Sequence, residues 1–275
     1  MYRIALLGVA IIIGGCVQSS KAGSDTSHSH EHAHYHSASH VQMSIKGDQR
    51  CIRSQATPAH SVGQFPTRGN PHSFRPQDLT VCVDATPEKT GQVTRSTSAS
   101  GITLSGILLR PGTAEYYDPN GRRGFSRDRS SGWRVEGMGA ASQLGMDHAN
   151  AHVDHRGLYH YHAPADIWTA DLIGGDSASL IGYAADGFEI HYIGDQARSS
   201  WQLKSGTRPA GANSPGGRYD GTYEQDYAYR ADSGTLDECN GATVEGRYVY
   251  FATDTYPFFP RCFKGTVSRD LQRRR

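Results

Sequence analysis

From Val41 onward, apolar and polar residues alternate over short stretches broken by glycine, and no stretch sustains the period of an amphipathic helix. The alternation marks candidate strands at Gly101 to Leu109, Leu158 to Ala163, Leu180 to Ala185, Phe188 to Ile193, Tyr223 to Tyr229 and Arg247 to Ala252. Between the third and fourth sits Asp186-Gly187, a two-residue hairpin signal, and as a turn residue Asp186 needs no further role. The pattern predicts a mainly β fold of short antiparallel strands with long loops and few helices.

The first forty residues break this pattern. Arg3 precedes an apolar run from Ile4 to Ile13, too short to cross a bilayer but suited to the core of a signal peptide. Gly14-Gly15-Cys16 follows in the order of a bacterial lipobox. The expectation is a lipoprotein signal peptide over 1–15, cleavage before Cys16, and a membrane anchor of acyl chains on that cysteine. Val17 is not an aspartate, which by Gram-negative sorting rules points to the outer membrane and an extracytoplasmic, lipid-anchored protein. Residues 16–41 lack the apolar side chains that could offset the entropy of ordering them, so they are expected to form a disordered linker. Histidine alternates with other residues from His28 to His36, and such a tract binds transition metals whatever its role.

Charge excludes more than it suggests. With 28 basic and 27 acidic residues the chain has no global field to attract nucleic acid, and Arg269 with Arg273 to Arg275 reads as a solvated basic tail over 269–275. Apart from Cys16 there are four cysteines, an even number for a chain expected in an oxidising compartment. Of the three possible pairings the local one is preferred, Cys51 with Cys82 and Cys239 with Cys262, each closing a short loop worth about 3 to 4 kcal/mol in the loop-entropy account. No C-x-x-C occurs, which argues against a thiolate zinc site.

Candidate chemistry gathers in Gly157-Leu158-Tyr159-His160-Tyr161-His162-Ala163. In a strand, Tyr159 and Tyr161 share one face and His160 and His162 the other, with the two histidines roughly 6.5 to 7 Å apart at the backbone. Five of the fourteen histidines lie between His148 and His162. A weak repeat adds to this: Asp147, Asn150, Gly157, Tyr159, Tyr161 and Ala163 recur in order as Asp237, Asn240, Gly246, Tyr248, Tyr250 and Ala252. Where the first copy has His160 and His162 the second has Val249 and Phe251, so if the copies pack alike both histidines point inward and need partners.

Several blocks resemble the YHYH-domain family of bacterial envelope and secreted proteins over about Cys51 to Gly265. They include Pro58-Ala59-His60, Arg110-Pro111-Gly112-Thr113-Ala114-Glu115, Asn150-Ala151-His152-Val153, Tyr159-His160-Tyr161-His162, Gly182 to Phe188, Leu236 to Gly241 and Phe258 to Phe263. One departure is Glu189, where relatives tend to carry proline. The resemblance implies a single domain, expected over 42–268, and carries no established activity.

Three classes of function fit these residues. In the first, His160, His162 and His152, the last from the preceding loop, bind Zn or Cu, with His60 and His191 in reserve, Asn150, Tyr159 and Tyr161 in support, and His148 and His155 as exposed loop residues. In the second the same ion activates water for hydrolysis, with Asp186 or Glu238 as general base. The third is a structural or adhesive module whose histidines bond tyrosines and main chain. No G-x-S-x-G, H-E-x-x-H or phosphate-cradling glycine loop is present. A membrane through the lipid anchor and a divalent metal ion are the partners these readings imply; no protein partner is indicated.

Overall fold

A computed structural model describes residues 41–95, 97–165 and 179–272. The expected signal peptide, Cys16, the histidine-rich linker and Arg273 to Arg275 lie outside the described residues. Among the described residues no helix is long and apolar enough to cross a membrane.

The domain opens with β1 (Gln42–Lys46), β2 (Gln49–Ser54) and β3 (Leu79–Asp84), an antiparallel sheet in that order. Alternation places Ile52, Val81 and Val83 in the core. Cys51 and Cys82 stand opposite each other in the ladder and are joined by a disulfide.

The main sheet is a duplication. Its first half comprises β4 (Gly101–Thr103), β5 (Leu108–Leu109), β9 (Ala151–Val153) and β10 (Tyr159–Tyr161). Between β5 and β9 the chain forms a separate small sheet of β6 (Gly112–Tyr117), β7 (Phe125–Ser126) and β8 (Arg134–Glu136), then a single turn of helix, α1 (Ala141–Leu144). The second half comprises β11 (Ser179–Ala184), β12 (Glu189–Tyr192), β15 (Gly241–Val244) and β16 (Arg247–Phe251), with the ribbon of β13 (Trp201–Leu203) and β14 (Tyr227–Tyr229) between.

The order β15-β16-β12-β11-β4-β5-β10-β9 reads as the same four strands from either end. Gly101 faces Leu109 and Ile102 faces Leu108 in one half, as Gly182 faces Ile190 and Tyr183 faces Glu189 in the other. β10 lies parallel to β5 and β16 parallel to β12, so the sheet is mixed rather than wholly antiparallel. At the midline β4 and β11 pair antiparallel, and the amides of Leu104 and Ala185 donate reciprocally to the carbonyls of Ile181 and Ser100 (2.9 and 2.8 Å). Gly106 and Gly187 occupy matching turns at φ 77 and 90°, a region that favours glycine.

Most expected strands appear, with two corrections. Gly101 to Leu109 is not one strand but the hairpin β4-β5, turned at Gly106, the counterpart of the expected Asp186-Gly187 turn. Tyr223 to Tyr229 begins as a short 3-10 turn and becomes strand at Tyr227. The packed domain also passes residue 268: Leu271 is in the core and Gln272 bridges to Thr97.

Candidate metal centre

The β9-β10 hairpin positions the candidate ligands. His152 and His160 are directly opposed in the ladder, and His162 follows on the same face of the chain two residues on. His152 therefore comes from a strand, not from the loop before it. The three ring centroids are 4.7, 4.7 and 5.0 Å apart, and one nitrogen from each ring lies within 4.8 Å of the others. His160 and His162 are buried and His152 is half-buried.

Backbone acceptors set the rings. Nδ1 of His152 lies 3.1 Å from the Leu144 carbonyl and Nδ1 of His160 3.1 Å from the Leu158 carbonyl. A carbonyl only accepts, so each Nδ1 carries the proton and each Nε2 keeps a lone pair. Nε2 of His152 and Nε2 of His162 then approach to 3.2 Å. Two ligand nitrogens at 2.0 to 2.1 Å from a tetrahedral ion stand about 3.3 Å apart, so this contact has the length of one edge of such a site.

Electrostatics keeps the imidazoles neutral. Burial, then the Arg110 guanidinium and the neighbouring rings, push His160 well below the ordinary histidine range. Burial and His152 do the same to His162, and burial lowers His152. Nδ1 of His162 has no hydrogen-bond partner of ordinary geometry; it lies against Gly137, where a methyl group would overlap it, with the Pro111 carbonyl alongside. Behind that wall Arg261 donates to Glu136 (2.6 Å) and to Glu224 (2.6 Å), and Gly139 N donates to Glu136 (2.8 Å).

Asn150, with φ 53°, holds the far end of β10: its carbonyl accepts from His162 N (2.8 Å) and its Nδ2 donates to the Pro164 carbonyl. Tyr159 donates to Asp147 (2.7 Å), just as Tyr248 donates to Asp237 (2.8 Å), and Phe251 N donates to the Asn240 carbonyl (2.8 Å). The repeat read in the sequence is thus a shared piece of structure. In the second copy Ala242, Val249 and Phe251 occupy the places of the three histidines, and they pack with Ala197 and Leu236 in an apolar cluster.

The other sequence candidates lie elsewhere. His60 belongs to the tyrosine face, with Nε2 2.6 Å from the Tyr161 hydroxyl and Nδ1 2.9 Å from the Ser61 carbonyl. His191 stands on β12 in the second half, 2.9 Å from Glu189. Asp186 accepts from Tyr250 (2.8 Å) and Gly265 N (2.9 Å), and Glu238 pairs with Arg95 and Lys264. Neither carboxylate lines the cavity over the histidines; Glu115 and Asp154 do. His148 is exposed, and His155 is exposed at the rim of that cavity.

Sequence reasoning missed three parts of the site. Gly137 admits His162, Glu115 supplies a nearby carboxylate, and an arginine cluster from Arg110 to Arg127 forms the wall. The spacing of basic residues in Arg122-Arg123-Gly124-Phe125-Ser126-Arg127 was the available signal for the last. Gly137 carries none, because its role depends on what packs against it.

A duplicated β domain with a convergent, neutral histidine triad on one of its two equivalent hairpins defines the class of protein. The YHYH protein family model matches residues 80–265, more than half of the chain, and the chain belongs to that family. No curated protein and no solved structure matches it.

Proposed function

We propose that this is a metal-binding protein of the cell envelope that holds a Zn or Cu ion through His152, His160 and His162. The observation that carries the reading is the convergence of the lone-pair nitrogens, with the 3.2 Å approach of His152 to His162. Without an ion those two nitrogens face each other with one proton to share; with one, each lone pair has an acceptor. Neutral imidazole suits zinc and copper alike, and three protein ligands leave a position open toward the cavity. A lipid on Cys16 is the proposed anchor, and the two disulfides favour the oxidising compartment it would lead to.

The test uses the domain from Val41 onward, which removes the histidine tract. Elemental analysis is expected to find one tightly held ion, and the double variant His160→Val/His162→Phe is expected to hold none. Free ion at a hundred times its dissociation constant should stabilise the unsubstituted domain by about 2.7 kcal/mol and leave the variant unmoved. An unsubstituted domain that retains no ion would end the metal reading.

A further inference from the structure

The triad lies at the base of an open cavity of about 520 Å³, within the range of about 300 to 1,000 Å³ usual for small-ligand sites. Its walls are cationic. Arg110, Arg122, Arg123, Arg127 and Arg156 line it, against two carboxylates, Glu115 and Asp154.

These arginines are not equivalent. Arg123 is committed to the fold, donating to the carbonyls of Gly69 (3.0 Å), Gln143 (2.6 Å) and Arg68 (3.1 Å). Arg110 bridges to Asp154 (3.2 Å) through one terminal nitrogen and leaves its other donors unassigned. Arg156 reaches the same carboxylate only at 4.0 Å. Among the described residues Arg122 and Arg127 have neither an ion pair nor a hydrogen bond from the side chain, and both are exposed on the β6-β7 connection and just beyond it. The triad itself adds no negative charge, and an ion seated there adds two positive charges to an already positive cavity.

We infer that the open position of the triad metal takes an oxygen of a phosphoryl group, whose remaining oxygens are held by Arg110, Arg122 and Arg127. The inference rests on the metal reading above. A carboxylate offers one charge and two oxygens, which leaves most of this cationic wall uncompensated. A phosphate group carries between one and two negative charges near neutral pH and three acceptor oxygens beyond its ester link, and planar guanidinium groups match that geometry in pairs. The ligand class is therefore inorganic phosphate or a small phosphomonoester, and the open mouth leaves room for the ester substituent.

The experiment titrates the zinc-loaded full chain, freed of excess metal, with inorganic phosphate and separately with phenyl phosphate, by calorimetry. Acetate serves as the carboxylate comparison. The chain is expected to bind at least one of the phosphate probes at one site, and tighter binding of phenyl phosphate would assign the ester as the natural form. Arg122→Gln/Arg127→Gln should keep its zinc and bind about tenfold more weakly or worse, the loss expected when charge-assisted hydrogen bonds are removed. His160→Val/His162→Phe, which removes only the triad's ion, should lose the phosphate site as well. Zinc held at the triad with no arginine-dependent phosphate binding would overturn this inference and leave the metal site standing. Acetate binding as tight as phosphate would overturn the phosphoryl assignment, and phosphate binding unchanged in the histidine variant would overturn the role of the metal. Absence of triad zinc in the unsubstituted chain would overturn both readings together.

Discussion

Gly137 is the residue through which the metal reading can be tested without touching a ligand. Its backbone is right-handed helical, φ −57°, so alanine is conformationally acceptable there. The added methyl would overlap Nδ1 of His162 and turn that ring away from His152. Gly137→Ala is expected to fold and to hold the ion at least about tenfold more weakly, a cost of about 1.4 kcal/mol; metal competition against a chelator measures it. Asp186 gives a contrasting prediction, about stability. Burial raises its pKa, while bonds from Gly265 N and Tyr250 oppose the shift without cancelling it. A carboxyl with a raised folded pKa favours folding most below the unfolded value of about 3.9 and loses that contribution as pH rises through the folded value. Asp186→Asn removes the titration, so the variant's urea midpoint should gain on that of the unsubstituted protein as pH climbs from about 4. Parallel profiles would mean that Asp186 titrates no differently in the folded state.

At the scale of elements, two hairpins share a frame and differ in what they present. β9-β10 and β15-β16 use the same Asp-Tyr brace and the same left-handed Asn, at φ 53 and 64°. One offers three imidazoles where the other packs Ala242, Val249 and Phe251. The frame is thus indifferent to the chemistry of that face, and exchanging His160 and His162 for their counterparts should change the stability of the metal-free domain by less than about 2 kcal/mol. The wall behind the site is less tolerant. Arg261 joins the segment after β16 to Glu136 at the end of β8 and to Glu224, and Glu136 is fully buried. Arg261→Ala leaves that carboxylate unpaired and should destabilise the domain by about 3 to 5 kcal/mol, read as a fall in the midpoint of chemical unfolding. A shift below about 1 kcal/mol would show the network to be solvated.

At the scale of the whole molecule, the duplication explains why the site is one-sided. Two halves meet along β4 and β11 in a continuous sheet, with the tyrosines of both hairpins in the common core. The opposite face is free to differ between halves, apolar in one and histidine-bearing in the other. The proposed anchorage rests on the chain's first residues and is tested separately. Cys16→Ser is expected to abolish palmitate labelling and to release the protein or leave its precursor uncleaved; labelling that survives, with unchanged membrane fractionation, would remove the lipoprotein proposal.

The sequence by itself determined the β class, the family and the sidedness of the Tyr-His alternation, and it favoured without deciding the two local disulfides that the structure shows. The β class and the sidedness depend on local spacing: side chains two apart in a strand share a face whatever surrounds them. The inward direction of His160 and His162 was legible for a related reason, since the second copy shows apolar residues in the same places. The sequence already pointed to His152, His160 and His162 as the set, and tertiary structure supplied the reason that these three meet while the reserve histidines do not. His152 joins the pair because ladder register sets it opposite His160, while His60 and His191 fall to the other face and the other half. It also removed Asp186 and Glu238 from the site and brought in Gly137, Glu115 and, from a different sheet, Arg122, Arg123 and Arg127. Register and packing between distant segments depend on which faces the whole chain can bury together, and no window of sequence contains that information.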